Sequence, residues 1–96
     1  MTNEPLTFWV YVLENAVGKF YVGSSDDPER RLAEHNDTSR GHNSFTHRNA
    51  PWRLVWREPH STRAAATQRE MQIKRMKSAR WIHENLLNGR VPARRD

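Results

Sequence analysis

Residues 9–36 read WVYVLENAVGKFYVGSSDDPERRLAEHN. The fold turns on how this stretch pairs with itself. Two runs rich in β-branched and aromatic residues flank Glu14-Asn15-Ala16-Val17-Gly18, where Gly18 is free to take positive φ, so a hairpin is predicted with strands over residues 8–14 and 19–24. Residues 8–13 are apolar on both sides, as expected of a strand covered on both faces. Centring the hairpin on Ala16 sets Tyr11 opposite Tyr21 on one sheet face, whereas a bulge at Gly18 would move the register by one residue.

Residues 23–28 then leave the sheet, with Gly23 as a structural turn, and start a helix with Asp27 as N-cap and Pro28 at the first helical position. This helix is expected to run to His35 or Asn36, with Arg31 and His35 at i and i+4 on one face and Leu32 turned to the core. Residues 37–51 are polar and carry Arg40, Gly41, His42, His47 and Arg48, which reads as an exposed loop. Strand character returns over residues 52–58 and stops at Pro59. Ser61 or Thr62 caps a second helix to about residue 77, and a third runs over 79–87 and stops at Gly89. Ala66, Glu70, Ile73 and Lys77 fall in one stripe of the second helix, so Glu70 borders its apolar face. Residues 1–7 and 89–96 read as loose tails around a core of about 8–88.

With 96 residues the chain is one domain. It has no cysteine, which excludes a disulfide scaffold, a thiolate nucleophile and a cysteine-based zinc site. The longest apolar run is far below the ~20 residues that span a bilayer, and Glu4 and Pro5 replace the basic and apolar regions of a signal peptide. The expectation is a soluble, cytoplasmic protein with no membrane partner. The net charge is +5, and residues 63–96 hold nine basic against three acidic residues. Clustered positive charge favours polyanions, because neutralised phosphates release counterions.

Val10-Tyr11-Val12, then Tyr21-Val22-Gly23, Arg31-Leu32 and His35-Asn36 resemble the GIY-YIG nuclease domain. Residues 21–36 carry the specific part of the likeness, and in the first block Val10 stands where the family has isoleucine. Residues 69–74, REMQIK, resemble the later helix that supplies the family's acidic metal ligand, and residues 45–58 resemble its third strand. The likeness covers nearly the whole chain, and in size the chain looks like the small stand-alone bacterial members, similar to the N-terminal domain of the excinuclease ABC C subunit. It implies an α/β (α+β) fold, a small three-stranded antiparallel sheet flanked by helices. The order β-β-α-β-α-α read from the patterns agrees with this. Larger relatives also carry an active-site asparagine before a proline; Asn85 and Asn88 stand in that neighbourhood, but neither precedes a proline, and neither is assigned.

The resemblance implies a metal-dependent endonuclease that leaves a 5′-phosphate and a 3′-hydroxyl. Tyr11 would be the general base or would orient the attacking water, and Tyr21 would position it or hydrogen-bond the phosphate. Arg31 would clamp phosphate and favour the Tyr11 phenolate, with His35 beside it. Glu70 would hold a single Mg²⁺ or Mn²⁺ whose other ligands are water and substrate. Arg30, Lys74 and Lys77 would bind nucleic acid, DNA foremost. With no separate reading module, cleavage directed by DNA structure or single strands is expected rather than by sequence, in repair or recombination. The competing reading is a nucleic-acid-binding module without turnover that acts beside a protein partner.

Taken singly, each of these residues has an ordinary role: a strand tyrosine with its hydroxyl at the rim, a solvated arginine, a histidine on a helix C-terminal dipole, or a Glu70–Lys74 pair. Their joint order and spacing favours chemistry. His42, His47, His60 and His83 show no zinc spacing and read as solvated. Trp9, Trp56 and Trp81 read as core, and Trp52, near the polar loop, as a platform for stacking a base.

Overall fold

The structure, a computed structural model, describes residues 6–39 and 44–88. The N-terminal tail before Leu6, Arg40, Gly41, His42, the stop at Gly89 and the basic C-terminal tail lie outside the described residues. Three strands, β1 (Phe8–Asn15), β2 (Phe20–Ser25) and β3 (Trp52–His60), form an antiparallel sheet in the order β2-β1-β3. Four helices accompany it: α1 (Pro28–Asn36), α2 (Phe45–Arg48), α3 (Arg63–Met76) and α4 (Ala79–Ile82), the last widening into a π-helical turn over His83–Leu87. The predicted mixed fold is the one observed. Among the described residues no helix is long and apolar enough to cross a membrane.

The apolar run of β1 follows from its central place, and Val10, Tyr11, Val12 and Leu13 are all at most 1% exposed. Val10 and Val12 face one way, into a cluster with Val22, Ala66, Ile73, Ile82 and Leu86. Tyr11 and Leu13 face the other way, against Trp52, with Tyr21 and Leu32 packed beside them.

The register differs from the one expected. Tyr11 pairs with Gly23 and Leu13 with Tyr21, so the hairpin is centred on Val17. Asn15 explains the shift: its side-chain oxygen accepts from the amides of Val17 and Lys19, which holds the turn open by one residue beyond the symmetric guess. The tyrosines still share a face, as diagonal rather than opposite neighbours. Gly18 does take φ 83°, and the irregularity in pairing falls between β1 and β3, beside Val12 and Leu13.

Three further expectations are corrected. Gly23 is not a turn residue but lies inside β2. Pro59 does not end β3, which continues to His60; β3 is an edge strand, where a missing amide hydrogen is tolerated. Within residues 37–51, Ser44 caps the short helix α2, its hydroxyl accepting from the His47 amide, so part of the presumed loop is helical. The α1 prediction stands, with the Asp27 carboxylate accepting from the Arg30 amide. Thr62 caps α3, whose last turn closes with Lys77 at φ 51°.

Candidate active site

Gly23 decides where the Tyr11 side chain goes. A Cβ at position 23 would lie 2.7 Å from the Tyr11 hydroxyl oxygen, 2.8 Å from its Cζ and 3.1 Å from Cε2 of Tyr21. Tyr11 therefore reaches from the central strand across β2, with its hydroxyl over the glycine. Only a residue without a side chain permits that approach.

At the hydroxyl the other candidates gather. Nε2 of His35 lies 3.4 Å away, and the Arg31 guanidinium is near enough to act on the phenol. The Tyr21 ring stands with its centroid 4.7 Å from that of His35 and 6.4 Å from that of Tyr11. Glu70 is near enough to act on the Tyr11 phenol electrostatically. Its carboxylate accepts from the Ser24 hydroxyl at 2.7 Å and pairs with Lys74 at 2.6 Å. Tyr11, Tyr21, Arg31 and His35 thus form one cluster, and Glu70, held by Ser24, acts on it electrostatically.

The charges depart from expectation. Burial raises the Tyr11 pKa above that of a free phenol; Arg31 pulls it down but does not win, and Tyr21 and Glu70 add to the rise. The phenol stays protonated at neutral pH: Arg31 favours the phenolate, as expected, but burial outweighs it. His35 moves the other way for the same first reason, burial, and Arg31 lowers it further, so it is a neutral imidazole rather than a helix-end cation. Arg31 also pairs with Glu34.

The cations assigned to nucleic acid separate. Lys74 and Lys77 line a groove beside the cluster, whereas Arg30 turns to Asp26 at 3.3 Å and Glu34 at 3.7 Å on the exposed side of α1. Trp52 is not a stacking platform. It is 4% exposed, and its indole donates to the Thr46 carbonyl at 2.7 Å. Asn85 donates to the Trp81 carbonyl of its own helix.

Some contributors were not singled out in the sequence. Asn36 donates to the Trp52 carbonyl at 2.9 Å and accepts from the Trp52 amide at 2.6 Å, binding α1 to the start of β3 as another strand would. Its neighbour His35 is thereby held in place, and the His35-Asn36 pair was the available signal. Ser24 fixes Glu70. His47, bonded through Nε2 to the Glu34 carbonyl at 3.1 Å, lines a cleft of about 480 Å³ together with Tyr21, Arg31, Glu34, His35 and Phe45.

Among the described residues no three His, Cys, Asp or Glu side chains gather as a metal cage. A lone carboxylate held by a hydroxyl is nevertheless a donor that Mg²⁺ accepts, since that ion keeps several waters and needs few protein ligands. The residues present fit a single ion at Glu70.

A three-stranded antiparallel sheet that carries this cluster defines a hydrolytic enzyme of the nuclease class. The chain belongs to the GIY-YIG catalytic domain family, whose model matches residues 7–85. It is 35% identical over 79 residues to a UPF0213 protein of Desulfotalea psychrophila, a match covering 82% of this chain and 70% of that protein. A UPF0213 protein of Natronomonas pharaonis is 39% identical over 72 residues, covering 75% of this chain and 82% of the relative. The structure-specific endonuclease subunit slx1 of Aspergillus terreus is 36% identical over 86 residues, which is 84% of this chain and 20% of that protein.

Proposed function

We propose that the protein is an endonuclease that hydrolyses DNA phosphodiester bonds with one Mg²⁺ or Mn²⁺, acting on single-stranded or branched DNA in repair or recombination. The gathering of His35, Tyr21 and Arg31 about the Tyr11 phenol, with Glu70 in electrostatic reach of it, carries this reading. Similarity to a protein named as a structure-specific endonuclease subunit supports the choice of substrate.

In this reading Arg31 holds the scissile phosphate and the charge that builds on its oxygens. Tyr11 works as a relay: its oxygen takes a proton from the attacking water while its own proton passes to Nε2 of His35. The depressed pKa of His35 keeps that nitrogen's lone pair available at neutral pH. The water oxygen bonds to phosphorus as the bond to O3′ breaks, and the departing O3′ takes a proton from solvent water, leaving a 5′-phosphate and a 3′-hydroxyl. Tyr21 steadies the His35 ring and reaches the phosphate. Glu70 would hold the ion, which supplies positive charge to the leaving oxygen. Lys74 balances Glu70 until the ion does.

The test is cleavage of single-stranded, nicked, branched and duplex DNA with Mg²⁺ or Mn²⁺. Arg31→Ala and Glu70→Ala should each lower the rate by roughly 10² to 10³-fold, the size of losing one charge-stabilising group. Cleavage undiminished in both variants would defeat the proposal. Salt-dependent binding without turnover would instead make the chain a binding module.

A further inference from the structure

Beside the cluster, along the open edge of β2, lies a second groove of about 560 Å³, which Tyr21 and Phe45 share with the first cleft. Its walls are apolar, from Phe20, Val22, Ile73 and Ile82, and its rim carries Lys19, Lys74 and Lys77, with no acidic residue in its lining. An apolar slot under a cationic rim suits a ligand that is flat and apolar at one end and anionic at the other. The volume lies in the ~300 to 1,000 Å³ range of small-molecule sites.

Phe45 makes the case specific. The residue is 43% exposed and sits where the apolar groove and the first cleft meet. It is also held in place, with one side against buried Trp52 at 5.9 Å between centroids and the Lys19 ammonium 5.8 Å from its own centroid. Lys19 is anchored by the Asn49 side chain at 3.2 Å, and Asn49 donates to the Phe45 carbonyl at 2.7 Å. A fixed, half-exposed ring beside a lysine is preorganised to stack a base and pair its phosphate.

We propose that this groove is a nucleobase subsite: an unpaired nucleotide next to the scissile phosphate stacks its base on Phe45 against the apolar wall, while Lys19, Lys74 and Lys77 meet its phosphates. A paired base cannot enter, so the subsite selects single strands, flaps or gaps over intact duplex. The inference rests on the nuclease reading above and narrows its substrate.

The experiment uses the full chain and single-stranded oligodeoxynucleotides in which one abasic position is moved across the cleavage point, read by cleavage rate and by fluorescence anisotropy without metal. One position should lose roughly tenfold to a hundredfold when its base is removed, the size of one base–aromatic contact. Phe45→Leu, which keeps apolar volume against Trp52, should show the same loss on the intact strand and none beyond it on the strand abasic at that position. Phe45→Trp should keep the wild-type pattern. If the wild type cuts but the scan is flat, or if the two losses add, the subsite alone is wrong. If the wild type neither binds nor cuts, both readings fall. If Phe45→Leu only shifts a dimer to a monomer in sedimentation, the groove is a self-association face and the subsite is overturned. The scan needs no variant to fold.

Discussion

Alternate residues of β1 build two unlike faces. Val10 and Val12 meet α3 and the last helical turns in a cluster of aliphatic side chains, whereas Tyr11 and Leu13, as deeply buried, meet Trp52, Tyr21 and α1. The fully buried residues of the first face are aliphatic and are stabilised by area and shape, with the Ser24–Glu70 hydrogen bond on the same side of the sheet. The second buries a hydroxyl and an imidazole, and burial obliges such groups to find partners. The constraint that completes the core therefore also assembles the cluster. Tyr11 and His35 are thus core residues with polar tips, positioned by the sheet and α1.

Tyr11→Phe probes the contrast most sharply. The ring and its packing remain while the oxygen is lost, so single-turnover cleavage should fall about 10²-fold or more, against a stability change of about 1 kcal/mol in a thermal melt. Retained activity would make both faces merely structural. Leu86→Ala, on the aliphatic face, should do the reverse: a loss of about 2 to 5 kcal/mol in a urea titration, with kcat/KM per folded molecule unchanged. Gly23→Ala should cross the divide. Its methyl group presses on the Tyr11 oxygen and ring, costing about 1 to 3 kcal/mol of stability and displacing the oxygen, so that cleavage and melting both suffer.

The smallest effect concerns pH. The folded-state pKa of His35 lies below its ordinary value, so the unfolded chain binds the proton first and stability rises with pH. That contribution is complete above about 6.5, the ordinary histidine value, and is lost as pH falls through the lower folded-state pKa. The acid side of the melting-temperature profile should therefore be shallower in His35→Gln than in the wild type.

The sequence made the local units visible and hid what depends on distance. Asp27-Pro28 announced α1, and the apolar run from Phe8 announced a strand covered on both sides, because caps and alternation are local physics. The register was off by two residues, with the turn centre moved by one, because the Asn15 side chain, not strand symmetry, sets the turn. Four residues are too few to show a helical period, so α2 and with it Phe45 were unseen. Trp52 looked available because its loop is polar, yet the fold turns its indole inward to a carbonyl. Glu70 could be linked to the tyrosines only through the family resemblance, since Ser24, which holds it, lies 46 positions earlier. The protonation of Tyr11 was hidden as well, because burial opposes the Arg31 charge and no pattern in the sequence weighs one against the other.

The Asn36 clamp has a consequence for engineering. It grips the main chain of residue 52, while the Trp52 side chain belongs to the cluster that Leu32 of α1 joins, so one residue fastens the helix by backbone and by packing. The segment from the Asp27 cap to Asn36 sets its own beginning, carries Arg31 and His35 in the middle, and fastens its own end. It is a cassette: a designer could lay it across another antiparallel sheet that offers one free amide and carbonyl, and expect its arginine and histidine to arrive in order.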